Sequence, residues 1–373
     1  MTACPLCQSL QTSLVYSVYD APLFQNKVYT TEKLAKAVPT AAIQLRLCHA
    51  CGFVFNAIFD ASLMSYDNHY ENEQAHSDYF QHYLANIISL FKSKSFLSKK
   101  IIEIGCGKGF FLEKLIAAGF NVHGFDPAYE GRHAYIIKDY FSDRYPHLAA
   151  DIIILRHVLE HIQNPLEFLH QIASAVNYRG LIYIEVPSLA WILNHVAFWD
   201  IFYEHCNYFT AQSLSFLFDK FELGFLFNDQ YLYLIADLSH LKKHITPTGS
   251  NSLSCKHFLK LVNFLNFYQK KLATQPGTAL WGAGAKGVTF ANLIDPQKKY
   301  LSYLIDINPK KQNGYIAKTA HKIIAPSSIE TTKITDILVM NNNYYAEIKK
   351  SISTLPISIK KLKIRYNVPL ITT

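Results

Sequence analysis

No stretch of this 373-residue chain runs for about eighteen uninterrupted apolar residues, so no membrane-spanning helix is expected. Its start, MTACPLCQSL, lacks the basic segment followed by an apolar core that marks a secretory leader. Together these absences imply a soluble, cytoplasmic protein. Charge is scarce as well: 17% of residues are charged and 50% are hydrophobic, which argues against extensive disorder and for well-packed globular units. In an unexported chain the seven cysteines are not expected to build a disulfide framework, so they serve as core residues, metal ligands or reactive thiols.

What is present is length, aromatic rings and a modest positive excess. The length exceeds one ordinary core and predicts two or three domains. Much of the 14% aromatic content must pack cores, and the tyrosine share leaves room for pockets that hold a ring-shaped or cationic ligand. A formal charge of +8 favours acidic partners, nucleic acid or a phosphorylated small molecule among them. The Lys-rich stretch 348–365 reads as a solvated face, and the basic residues form no aromatic-interleaved stripe of the kind that binds RNA.

Four cysteines form two knuckles, Cys4-Pro-Leu-Cys7 and Cys48-His-Ala-Cys51, the second followed by Gly52. Two such pairs place four thiolates on one tetrahedral cation, a closed structural zinc site. The 40 residues between the pairs make it a looped variant rather than a compact finger, and His49 reads as a bystander. Chance core cysteines are the competing reading.

From Lys100 the chain reads strand, Gly105-Cys106-Gly107-Lys108-Gly109, then a helix with apolar residues at 110, 111, 112, 115 and 116. The glycines let backbone approach a ligand at a helix N-terminus. A strand over 121–125 ends in Asp126, placed to accept hydrogen bonds from ribose hydroxyls. That arrangement serves NAD and S-adenosylmethionine (SAM) alike, although the usual NAD fingerprint places its third glycine where this chain has Phe110. Further on come a strand over 151–155, a histidine-rich turn, a helix near 165–176 and a strand over 181–186.

The pattern Glu103-x-Gly105-x-Gly107-x-Gly109, the strand-end Asp126 and "RHVLEHIQNP" resemble class I SAM-dependent methyltransferases. The resemblance implies an α/β fold with a central Rossmann-like sheet. It carries the cofactor's amino-acid end to Glu103, Gly105, Cys106, Gly107 and Gly109, its ribose to Asp126 and Pro127, and its sulfonium side to Arg156 and His157. Glu160 is expected to support the turn, and His161 to lie at the surface. With the cysteine module, "SYDNHYENEQAHS", "IEVPS", "EHCNYF" and a second Gly-rich unit in this order, the whole chain is similar to the sugar C-methyltransferase family, which methylates ring carbons of nucleotide-linked ketosugars. The implied domains are a zinc-binding module at 1–62, a SAM domain at 63–240 with a substrate segment at 190–240, and a smaller Rossmann-like domain at 241–373.

In that last unit, Gly282, Gly284 and Gly287 repeat the strand, turn and helix logic, and Asp306 closes a strand 24 residues after Gly282. Lys286 and Lys310 are candidates to meet a diphosphate, with Asn341 to Tyr344 bordering the same cleft, although a purely structural lid has equal standing. Deprotonating a ketosugar carbon needs a base, for which His205 is the candidate, supported by Glu204, Tyr203 and Tyr70, with Tyr70 and Tyr66 closing over the cofactor. Phe202 stands where the resembling family has a tyrosine, which leaves O- or N-methylation of a sugar open beside C-methylation. A zinc-containing RNA-binding protein or RNA methyltransferase is the alternative from another class.

Overall fold

The runs Ile101–Ile104 and Ile152–Leu155 are buried at every position, as parallel strands covered by helices on both faces must be. The computed structural model describes residues 2–65, 70–71, 73–145, 150–247, 253–355 and 362–366. Tyr66 lies outside them.

The N-terminal part is antiparallel. β1 (Thr12–Pro22) pairs with β3 (Thr40–Cys48), and β3 with β4 (Val54–Asn56). Between them, β2 (Val28–Tyr29) leaves this sheet for a partner far along the chain.

The central sheet contains β5 (Lys100–Ile104), β6 (Asn121–Phe125), β7 (Ile136–Ile137), β8 (Ile152–Arg156) and β9 (Leu181–Pro187), all parallel. After the two-residue β10 (Asn207–Tyr208), β11 (Glu222–Leu226) and β12 (Tyr231–Asp237) complete it, with β12 antiparallel to β9 and to β11. The order is β11-β12-β9-β8-β5-β6-β7. The strand order therefore reverses at β5, and such a switch point opens a crevice beyond the carboxyl ends of the strands. The boundaries follow the expected ones to within a residue: the strand expected over 151–155 is Ile152–Arg156, and the helix expected over 165–176 is Pro165–Ala175, with Pro165 at its first position.

The helix Asp78–Ser93 shows how one face is chosen. Ser77 caps it by accepting from Phe80 N at 3.2 Å, and Tyr83, Leu84, Ile87 and Phe91 recur on one side and are buried against the sheet. Truncating Phe91 to alanine is expected to cost about 3–5 kcal/mol, because its ring packs on Phe96, Phe111, Phe120 and Tyr183.

The C-terminal sheet is parallel, built from β13 (Thr278–Trp281), β14 (Leu301–Ile305), β16 (Ile323–Ile324), β17 (Asp336–Val339) and β18 (Lys363–Tyr366), in the order β16-β14-β13-β17-β18. β15 (Tyr315–Ile316) instead pairs with β2. Likewise β10 pairs with β4. The N-terminal module is thus paired with two short strands from later in the chain, β10 between the strands of the central unit and β15 between those of the C-terminal unit. Among the described residues no helix is long and apolar enough to cross a membrane.

Candidate active site

The turn after β5 is shaped by its glycines. Gly105 has φ +73°, and a Cβ there would stand 2.5 Å from Val158 Cγ2; at Gly107, with φ +58°, an added Cβ would meet nothing within 4 Å. The turn is closed at its first glycine and open at its second. Asp126, at the end of β6, accepts from Gly107 N at 2.8 Å and from Ala128 N at 2.9 Å, and burial raises its carboxyl pKa. Pro127 follows it at the same strand end. Cys106 lines the turn from inside: its Sγ is 2.6 Å from where a Cβ on Gly124 would be, so β6 can pass only as glycine.

Glu103 lies within β5, 3% exposed, and its Oε2 has no hydrogen-bond partner among the described residues. Burial pushes its carboxyl up to about 7, against the pull of Arg156. An orphaned buried carboxylate two residues before an open glycine turn fits a ligand that carries an ammonium group. The residues present therefore suit the amino-acid end of SAM.

At the neighbouring strand end, Arg156 and His157 form a dense ionic group. Glu185 accepts from Arg156 Nη2 at 3.2 Å, from Tyr183 Oη at 2.7 Å and from the Tyr83 hydroxyl, and it faces His157 Nε2 at 3.0 Å. Glu160 Oε1 faces His157 Nδ1 at 3.3 Å. Burial opposes protonation of His157, yet these two carboxylates outweigh it and hold the imidazole at about 9. Burial also opposes ionisation of Glu185, but Arg156 and His157 hold its carboxyl far below the usual range. Arg156 and His157 thus spend their polar atoms on protein partners. Glu185 and Tyr83 were missed by reading the sequence, though an acid inside the apolar strand Ile182–Val186 is itself a signal, since a buried charge must be paired.

The segment Tyr203–His205 precedes β10. Glu204 is fully buried, its Oε2 accepts from Gln25 N at 3.0 Å, and its Oε1 has no hydrogen-bond partner among the described residues. Burial pushes its carboxyl up to about 7, with the Tyr70 hydroxyl bonded to it pulling the other way. Tyr70 also accepts from Asn26 Nδ2 at 3.2 Å. Next to Tyr70, Glu71 holds Lys108 of the glycine turn at 2.6 Å and Asn308 Nδ2 at 3.3 Å, with Lys310 at 3.8 Å. Glu71 therefore ties the central turn to the C-terminal sheet, a role no motif announced.

His205 is half-buried, its ring 4.1 Å from Phe202, 4.8 Å from His161 and 6.4 Å from Tyr208. Burial, then the positive charge of His161, His157 and Lys286, pushes its imidazole well below the ordinary value. Tyr203 does not join this group: its hydroxyl accepts from Asp60 N at 3.0 Å and its ring packs on Phe59, so it braces the N-terminal module. His161, expected at the surface, is half-buried with Nδ1 2.8 Å from Glu204 O. Lys286 is paired with Asp200, and Asn341 and Asn343 reach Gln230 and Phe227 of the central unit.

The two cysteine knuckles meet. Cys4 Sγ is 3.7 Å from Cys51 Sγ, Cys7 Sγ is 3.6 Å from Cys48 Sγ, and all four lie within 4.8 Å of one another. Four thiolates about 2.3 Å from a tetrahedral zinc stand about 3.8 Å apart, so the group fits that ion. His49 is exposed and outside it.

Residues 74–225 match the family model described as a methyltransferase domain, and residues 259–357 match that of a C-methyltransferase C-terminal domain. The chain is similar to C-methyltransferase NovU of Streptomyces niveus, 30% identical over 134 residues, which are 32% of this chain and 31% of that protein. The match spans about a third of that relative's length. Among solved structures, a SAM-dependent methyltransferase from Archaeoglobus fulgidus aligns at 19% identity over 43% of this chain and 99% of that one, with a TM-score of 0.32. The plantazolicin methyltransferase BpumL, solved with a triazolic desmethyl analogue and SAH, aligns at 16% identity over 53% of this chain and 84% of that one, with a TM-score of 0.31.

Proposed function

We propose that this chain, a class I methyltransferase in its sheet order and in the two family models it matches, transfers a methyl group from SAM to a carbon of a nucleotide-linked sugar. The observation that carries this reading is that the Tyr70 hydroxyl bonds the buried Glu204 carboxyl while Glu71, next to Tyr70, holds Lys108 of the glycine turn, with His205 following Glu204 and packed against His161. Support for carbon as the acceptor comes from the match of the C-terminal unit to a C-methyltransferase C-terminal domain and from the similarity to the Streptomyces niveus C-methyltransferase. The sugar rests on the family resemblance of the motifs.

SAM, when bound, supplies an electrophilic methyl group. The chain's own residues do the rest. Glu103 Oε2 would hold the ammonium end, the turn of Gly105 to Gly109 the amino-acid carboxylate, and Asp126 the ribose hydroxyls. His205 accepts the proton from the carbon next to the sugar carbonyl. Breaking that C–H bond would leave its electrons in an enolate, the carbon nucleophile that the methyl group of SAM would alkylate. Glu204 offers its unpartnered oxygen to a sugar hydroxyl, and Tyr70 fixes the orientation of that carboxyl. Lys310, at the rim and 62% exposed at its side chain, is available to a diphosphate. The Cys4, Cys7, Cys48 and Cys51 group holds a structural zinc that keeps β3 and β4 in place to pair with β10, immediately after His205.

Phe202 touching His205 favours keeping one second reading, because no phenol stands there and the same imidazole would serve a sugar hydroxyl or amine. Incubating a panel of nucleotide-linked ketosugars with methyl-labelled SAM, followed by mass spectrometry and carbon NMR, tests both. A label on a ring carbon supports the proposal, a label on oxygen or nitrogen supports the second reading, and a panel left unlabelled while RNA in a parallel incubation takes up the label overturns both.

A further inference from the structure

Glu160, His161 and His205 each offer one ligand atom, and those atoms lie within 4.8 Å of one another. Glu160 is 1% exposed, and while its Oε1 faces His157, its Oε2 has no hydrogen-bond partner. His161 Nδ1 lies 2.8 Å from the carbonyl oxygen of Glu204. A carbonyl only accepts, so Nδ1 carries the proton and Nε2 carries the lone pair, the tautomer in which a second-sphere carbonyl orients a metal-binding histidine. The two segments are pinned together independently of any ion, since Cys206 N donates to Glu160 O at 2.9 Å. The ligand atoms are therefore brought close by the backbone, and among the described residues the second oxygen of Glu160 has no hydrogen-bond partner.

We propose that Glu160, His161 and His205 form a second metal site, separate from the four-cysteine group, for a divalent first-row transition cation. Two imidazoles and one carboxylate are the donor set of zinc, cobalt or nickel rather than of magnesium or calcium. The cation occupies the lone pair of His205, so filling the site blocks proton abstraction and inhibits methyl transfer. That consequence rests on the role proposed above for His205, whereas the binding itself does not.

The test uses the full chain with zinc already bound at its cysteines, titrated with cobalt(II) or zinc while bound metal is counted by calorimetry and elemental analysis. A second equivalent is expected, and bound cobalt should show weak visible bands without the intense thiolate charge-transfer absorption. His161→Gln and Glu160→Gln should each weaken the second equivalent by about tenfold or more, as loss of a ligand or its support does, while the first zinc stays. Retention of that first zinc reports a folded chain, and one folded variant suffices. Wild-type protein that stops at one metal, or a second metal held equally well by both folded variants, overturns the proposal. If binding follows the prediction but the second metal leaves methyl transfer unchanged, the metal site stands and the role of His205 falls.

Discussion

The two glycine turns are built alike and filled differently. In each, a strand-end aspartate caps the turn twice: Asp126 accepts from Gly107 N and Ala128 N, Asp306 from Ala283 N and Asn308 N, at 2.8 to 2.9 Å. Around the first turn, among the described residues, a Cβ on Gly107 would meet nothing within 4 Å and Oε2 of the buried Glu103 has no hydrogen-bond partner. Around the second, the position matching Glu103 is the apolar Leu280, and Gly284 looks at Asn26 Oδ1 and at Lys311 Nζ, both within 4 Å. Lys311 further donates to Ala283 O at 3.3 Å. The second turn is plugged by its own chain. The second turn keeps the hydrogen-bond pattern of the first while its own chain borders the space beside Gly284, so one cofactor site, at the first turn, is expected.

The largest break in the comparison is expected on the face of the first turn. His205→Ala should lower kcat by about 10²–10⁴-fold, the range for removing a general base, with SAM affinity unchanged; normal turnover in that variant removes His205 from the mechanism. Next, Gly105→Ala forces a Cβ onto Val158 at a left-handed φ, and SAM binding should weaken about 100-fold, read by calorimetry. Gly284→Ala, at a negative φ with only ordinary contacts, should leave SAM binding as it was.

Glu103→Gln sharpens the contrast with Leu280. Losing a charged partner for the ammonium should cost about tenfold in SAM affinity. The same change alters stability in the opposite sense. The folded-state carboxyl sits at about 7, raised from 4.5, so the unfolded chain ionises first and wild-type stability falls as pH rises from 4.5 to about 7, by about 3 kcal/mol. Denaturation across that window should show the decline in wild type and its loss in the variant. The smallest effect belongs to the plug: Lys311→Met should change neither SAM affinity nor cofactor choice beyond about twofold, since an apolar chain of similar length keeps the second turn filled.

Much of this was legible before any coordinates. The strands flanking Gly105 and Gly282 and the helices after them lie where apolar runs and glycines put them, because those signals are local. The cysteine knuckles were legible for the same reason. What escaped depends on distant pairing. Nothing in Asn207 and Tyr208 announces that they complete the sheet of Val54–Asn56, nor that Val28 and Tyr29 pair with Tyr315 and Ile316. Tyr203 was grouped with Glu204 and His205 by adjacency, and the turn sends its hydroxyl to Asp60. Glu71 sat unremarked beside Tyr70, and only the folded chain shows it holding Lys108 and Asn308.

The central claim, one open turn and one plugged turn, is tested most directly by calorimetric titration of the wild-type chain and Gly105→Ala with SAM and with NAD. The account predicts one SAM per wild-type chain, strongly weakened in the variant, and no binding of NAD to either. A second SAM equivalent, or tight NAD binding that survives Gly105→Ala, would contradict it.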